Sequence, residues 1–142
     1  MERIALKGFK SFGEHVEILL SRRLTVIAGP NGSGKSNILD AVRWVLGEQS
    51  PTRLRISKQS DLLFQGSPSR PPAKEAWVSL AAKHDGRSRI FKRILDENGS
   101  TFIVDGKRIR LYEMEEEKRL LGLEGIDFAF ISQGEVLEVI NQ

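Results

Sequence analysis

Gly29-Pro30-Asn31-Gly32-Ser33-Gly34-Lys35-Ser36 is the stretch on which the reading of this chain turns. It fits the pattern G-x-x-x-x-G-K-[ST], in which a glycine-rich turn between a strand and a helix points its backbone N–H groups at a polyphosphate. The flanks meet that requirement. Residues 24–28 (Leu-Thr-Val-Ile-Ala) are a β-branched run that predicts a buried strand, and residues 36–47 have the apolar spacing of a helix. Gly29, Gly32 and Gly34 let the loop wrap, and the helix adds its positive N-terminal end. Lys35 then reaches the terminal phosphates as a point charge, and the Ser36 hydroxyl ligates a magnesium ion bridging phosphate oxygens. Pro30, Asn31, Gly32, Ser33, Gly34 and the following Asn37 complete the expected cradle. The plainer alternative, a glycine turn that merely precedes a helix, does not account for the strand before it. The loop by itself leaves the reaction open, since kinases, switches, motors and transporters all use it.

Composition narrows the class. A chain of 142 residues with 39% hydrophobic content can fill one core, so residues 1–142 are expected to form a single domain. No apolar stretch approaches the length of a membrane span, and Met1 leads into an apparent strand without a secretion signal, which predicts a cytoplasmic location. The absence of cysteine excludes disulfides and thiolate chemistry, and His15 and His84 lack metal-ligand spacing. A net charge of +3, from 22 basic and 19 acidic residues, permits a polyanionic partner without demanding one.

In chain order, residues 3–9 alternate as a half-buried strand, 10–13 read as a turn, and 16–20 form a second strand. In the helix after the loop, Ile38, Leu39, Ala41, Val42, Val45 and Leu46 make an apolar stripe, Asp40 and Arg43 are placed opposite it, and Gly47 stops it. Arg53, Arg55 and Lys58 punctuate a polar segment whose simplest reading is a solvated loop. Strand periodicity then recurs at 76–82, 89–95, 101–104 and 107–111, separated by the turn signals Asp96-Glu97-Asn98-Gly99 and Asp105-Gly106, which predicts an antiparallel meander. A charged helix is expected at 113–121, a strand at 128–131, and an amphipathic helix from Val136 that is cut in mid-pattern. Together these predict an α/β fold, a P-loop lobe with a mixed sheet, an antiparallel meander and few helices.

Several segments carry a family resemblance: Lys7-Gly8-Phe9-Lys10-Ser11-Phe12; the loop with its continuation Asn37-Ile38-Leu39-Asp40-Ala41-Val42-Arg43-Trp44-Val45-Leu46-Gly47-Glu48-Gln49-Ser50; Leu54-Arg55 ahead of Asp61-Leu62-Leu63-Phe64-Gln65-Gly66-Ser67; and Ile131-Ser132-Gln133-Gly134. The chain resembles the N-terminal head lobe of structural maintenance of chromosomes (SMC) proteins, which are ABC-type ATPases. The resemblance implies that ATP and Mg2+ are the ligands. It also implies that a coiled coil and a C-terminal lobe with the signature motif and Walker B carboxylates complete the head, and that two heads sandwich two ATP molecules. Double-stranded DNA, a kleisin-type subunit and a nucleoid location follow from it too. Gln133 resembles the Q-loop glutamine that ligates magnesium and senses the γ-phosphate. Arg55 resembles an arginine that approaches phosphate and couples engagement to DNA, and Lys10 and Ser11 resemble residues lining the nucleotide.

What is missing is also informative. Hydrolysis in this class needs an apolar strand ending in Asp-Glu, and the only such pair, Asp96-Glu97, follows Lys92-Arg93 and precedes Asn98-Gly99, so it reads as a hairpin turn. No Leu-Ser-Gly-Gly signature occurs. The chain is therefore expected to bind ATP without turning it over alone. A small-molecule kinase would need an arginine-rich lid, a transporter subunit would place its glutamine much closer to the loop, and a structural DNA-binding module would not need the loop at all. The head of a related double-strand-break repair ATPase is the nearest alternative. For DNA, Arg87, Arg89, Lys92 and Arg93, beside Lys107, Arg108 and Arg110, are the candidate phosphate contacts, with Arg89 and Arg93 on one face of their strand by alternation.

Overall fold

Period-two alternation in the sequence becomes a sheet with one dry face. The computed structural model describes residues 3–19, 32–84 and 86–121. Within them β1 (Arg3–Lys7), β2 (Val16–Leu19), β3 (Ala76–His84), β4 (Arg87–Asp96), β5 (Gly99–Val104) and β6 (Lys107–Ile109) form one sheet in the order β2-β1-β3-β4-β5-β6. Every pairing among them is antiparallel, and β3 to β6 are the expected meander. The strands expected at 24–28 and 128–131 and the final helix lie outside the described residues.

Register explains the core. Ile18, Ile4, Leu80, Phe91 and Val104 are successive cross-strand partners and form one apolar row. Val16, Leu6, Val78, Arg93, Phe102 and Ile109 form the next, in which Arg93 is the one charged member. Helix α1 (Gly32–Val45) lies across this face and buries Ile38, Leu39, Ala41, Val42, Trp44 and Val45, with Trp44 against Phe9 at a ring separation of 5.4 Å. The helix begins four residues earlier than the apolar spacing predicted, inside the glycine loop itself. At its other end the Gly47 N–H donates to Trp44 O and the Glu48 N–H to Arg43 O, with Gly47 at φ +104°, the left-handed closure that satisfies the last carbonyls.

The connections follow their local chemistry. Asp96 pairs with Gly99 and its Oδ1 accepts the Asn98 N–H at 2.8 Å, so Asp96-Glu97 is a hairpin turn, as read from the sequence. Asp105 and Gly106 both take positive φ (51° and 82°), as a primed two-residue turn requires. Helix α2 (Leu111–Leu120) starts where Glu113 Oε1 accepts the Arg110 N–H at 3.0 Å, and it buries Met114.

Gly47→Ala should lower stability by about 1–2 kcal/mol, because the cost lies in the left-handed backbone. An added Cβ would meet only ordinary contacts, the nearest at 3.4 Å from Leu111 Cδ1. A urea midpoint equal to that of the parent protein would contradict this.

Candidate functional site

Helix α1 positions the site. Gly32, Ser33, Gly34, Lys35 and Ser36 form its first turns, and that first turn contains no acidic residue, so the partial positive charge of the helix end is not cancelled by its own side chains. Pro30, Asn31 and Gln133 lie outside the described residues. Ser36, Asn37 and Asp40 are spaced i, i+1, i+4, which places Ser36 and Asp40 one turn apart on the same face.

Asp40 was expected opposite the apolar stripe, and the structure buries it there: it is 1% exposed. Three cations cover it. Lys10 Nζ donates to Asp40 Oδ2 at 2.7 Å and to Leu54 O at 2.7 Å. The Arg55 guanidinium lies side-on, with Nε 3.1 Å and Nη2 2.5 Å from Asp40 Oδ2 and Nη2 also 3.1 Å from Asn37 Oδ1. Arg43 Nη1 is 3.9 Å from Asp40 Oδ1. Asn37 Nδ2 in turn donates to Ser11 Oγ at 2.8 Å. Lys10, Ser11, Asn37 and Arg55, singled out separately in the sequence, are thus one hydrogen-bonded cluster beside the first turns of α1. One carboxylate among three cations leaves the cluster net positive. Together with an uncancelled helix N-terminus, that donor set suits phosphate oxygens. Asp40 is the member that sequence reading missed. Its signal was an acid one turn after Ser36, the only acidic residue of the helix.

The four DNA candidates separate. Arg93 is corrected outright. It is 3% exposed, packed against the rings of Trp44 and Phe102, with centroids 4.8 and 4.5 Å away. All five of its N–H groups are used. Nε donates to Ser100 Oγ, Nη1 to Trp44 O (2.9 Å) and Glu48 O (3.0 Å), and Nη2 to Gln49 Oε1 and Ser100 Oγ. Burial pushes its pKa down to about 10, partly offset by Glu48, so it remains charged at neutral pH. It and Arg89 do share a face, but that face is the covered one. Arg89 is held by Glu117 (3.2 Å) and Asp105 (3.7 Å). Arg87 is exposed, with Nη1 3.4 Å from Leu120 O. Lys92 points to the opposite, open face of the sheet, its Nζ 4.8 Å from the Trp77 ring centroid.

A helix opening on Gly-Ser-Gly-Lys-Ser, laid over an antiparallel sheet with a cationic cluster at its flank, defines the class: the N-terminal portion of an ABC-type P-loop ATPase head. Residues 1–137 match the family model described as RecF/RecN/SMC N terminal domain, and the chain belongs to that family. The chromosome partition protein Smc of Bacillus subtilis is 37% identical over 149 residues, covering 99% of this chain and 13% of that protein. The protein of the same name from Desulfitobacterium hafniense is 38% identical over 151 residues, covering 99% and 12%. The chain therefore spans about an eighth of the length of these relatives. A solved structure described as "Structural biochemistry of ATP-driven dimerization and DNA stimulated activation of SMC ATPases" superposes with TM-score 0.81 at 34% identity, covering 99% of this chain and 90% of that one. The Smc head domain with an extended coiled coil bound to the C-terminal domain of ScpA, derived from Pyrococcus furiosus, gives TM-score 0.70 at 35% identity, covering 83% and 32%.

Arg93→Ala should destabilise the fold by about 3 kcal/mol, since it opens a void and takes a charged donor from the carbonyls of Trp44 and Glu48. A denaturation midpoint within error of the parent would show that the guanidinium is dispensable.

Proposed function

We propose that this chain is the ATP-binding half of an SMC head, working with its C-terminal lobe and a second copy of the head to bind and hydrolyse ATP and so tether and organise chromosomal DNA. The observation that carries the reading is the clamping of Arg55 onto Asn37 and Asp40, directly beside the helix turn that bears Lys35 and Ser36. Every relative named above is a chromosome partition protein or an SMC head, which favours this reading over the repair-type alternative. The kleisin partner is proposed by extension from the ScpA-bound head, and a chromosome-associated cytoplasmic location from the partition function of the relatives.

Each residue has a distinct task. The N–H groups of 29–36 and the helix end hold phosphate oxygens, Lys35 neutralises the terminal phosphates, and Ser36 with Gln133 supplies oxygen ligands for magnesium. The metal, when bound, draws charge from the phosphate oxygens. Arg55 adds a fixed cation at the flank. Neither a water-activating carboxylate nor a signature loop belongs to this chain's sequence, so turnover requires the C-terminal lobe. Residues 1–142 form one lobe that leads into a coiled coil, in keeping with the small share of each relative that the chain spans.

Lys35→Ala should abolish ATP binding, measured by calorimetry, without shifting the melting transition, because a lysine at this loop position serves the phosphates and supports little core packing. Mixing the chain with its C-terminal lobe should produce magnesium-dependent turnover that Gln133→Ala depresses more than it depresses binding. Robust Lys35-dependent hydrolysis by residues 1–142 alone would overturn the split-site reading.

DNA binding is assigned to the open sheet face and its edge. Lys92 stands opposite Ile103, which stands opposite Arg108, so Lys92 and Arg108 share a face two strands apart, with exposed Lys107 and Arg110 beside Arg108 along the edge. Contacts there go to phosphates, so affinity is indifferent to sequence and falls steeply with salt. Lys92→Glu with Arg108→Glu should weaken DNA binding by the assembled head and flatten its salt dependence. An unchanged salt slope would remove this surface.

A further inference from the structure

We infer that Asp40 is a positioning residue: a buried carboxylate on α1 that sets the direction in which Arg55 presents its free Nη1 beside the first turns of that helix. The inference rests on the phosphate-binding reading of the site.

The two arginines that meet α1 differ in a telling way. Arg93 spends all five N–H groups on the protein and is buried, as a purely structural guanidinium should be. Arg55 spends only its Nε–Nη2 edge, on Asp40 and Asn37, and its side chain is 50% exposed. Its Nη1 has no partner among the described residues. With one Nη2 proton on Asp40 and the other on Asn37, the two N–H groups of Nη1 remain, and a guanidinium held in this way is oriented to donate them to a further acceptor such as a phosphate group.

The backbone supports the same conclusion. Among the described residues only Lys10, Arg55 and Asp105 take positive φ without being glycine, and two of these, Lys10 (47°) and Arg55 (57°), are the residues that close on Asp40. Unfavourable backbone states persist only where the surroundings over-determine them, and they cluster at functional sites. Lys10 stays inside, 10% exposed, bonded both to Asp40 and to the carbonyl of Leu54, the residue before Arg55. Asp40 therefore fixes Arg55 twice, by its guanidinium and, through Lys10, by its backbone. Without the carboxylate, Lys10, Arg43 and Arg55 would repel one another and the arginine would swing free.

The test is a double-mutant cycle in the full-length protein. Asp40→Asn and Arg55→Ala should each lower DNA-stimulated kcat by roughly tenfold with KM for ATP little changed, and the double variant should be no slower than Arg55→Ala alone. Losses that multiply would mean that Asp40 acts apart from Arg55, and an Asp40→Asn protein as active as the parent would equally overturn the inference. If Asp40→Asn fails to fold, Lys10→Met/Asp40→Asn, which removes both buried charges, is compared with Lys10→Met in the same cycle, with the same expectations. A second readout needs no turnover. Phenylglyoxal labelling followed by mass spectrometry should modify Arg55 several-fold faster in Asp40→Asn than in the parent, with Arg53 as the internal reference. Equal Arg55 labelling refutes the positioning role even where the parent hydrolyses ATP. A parent without Lys35-dependent turnover refutes the functional reading instead.

Discussion

A buried guanidinium from the sheet anchors the one helix on which the rest depends. Arg93 replaces what would be an apolar member of the row between Val78 and Phe102 and donates upward to Trp44 O in the last turn of α1 and to Glu48 O just beyond it. A cation at a helix C-terminus meets the negative end of the macrodipole, and Trp44 and Phe102 flank it while Gln49 and Ser100 use the remaining protons. Burying a charge is costly unless every donor is satisfied, and here each is. The result is a 14-residue helix whose axial position is set at the end opposite the glycine loop that opens it.

The sequence was legible where periodicity and turn chemistry act locally. Residues 96–99 and 105–106 read as hairpins because Asp-Glu-Asn-Gly and Asp-Gly have few other conformations available, and the meander followed from them. Gly47 read as a helix stop for the same reason. Alternation also placed Arg89 and Arg93 on one face correctly, but it cannot say which face a helix from elsewhere in the chain will cover. That is a tertiary fact, and it turned a proposed DNA contact into a core residue. The burial of Asp40 was hidden for the same reason, since helical spacing puts it opposite the apolar stripe, while the segments that cover it there, 10–11 and 53–56, come from distant parts of the chain.

The cationic cluster shows how the fold assembles a polar site from parts that look ordinary singly. Lys10 follows β1 in a turn closed by the reciprocal bonds of Phe9 and Phe12, and its own N–H donates to Leu62 O. Arg55 ends a single helical turn in which the Leu54 N–H reaches Ser50 O and the Ile56 N–H reaches Pro51 O, with Leu54 buried as its anchor. The loop that follows is fastened in turn by Asp61, whose Oδ2 accepts the N–H groups of Ser57 and Lys58. Those bonds hold its carboxyl below the usual carboxylate range. A charge-stabilised loop of this kind keeps that support above the ordinary carboxyl pKa and loses it as pH falls through the lowered one.

Helix α1 thus joins three separately anchored features along one rigid body. Its first turns carry the glycine loop, its middle carries Asp40, and its end rests on Arg93. A helix rises about 1.5 Å per residue and resists bending without a break, and α1 contains no proline and only its loop glycines. Any displacement at Ser36 must therefore move Asp40 with it or distort the turn between them. Arg55 grips Asp40 and Asn37 along one edge, so it follows the helix and not the surrounding solvent. The direction of that guanidinium is in this sense a property of the loop helix, although Arg55 lies 19 residues beyond Ser36 in the chain and in a segment that composition alone would call a solvated loop.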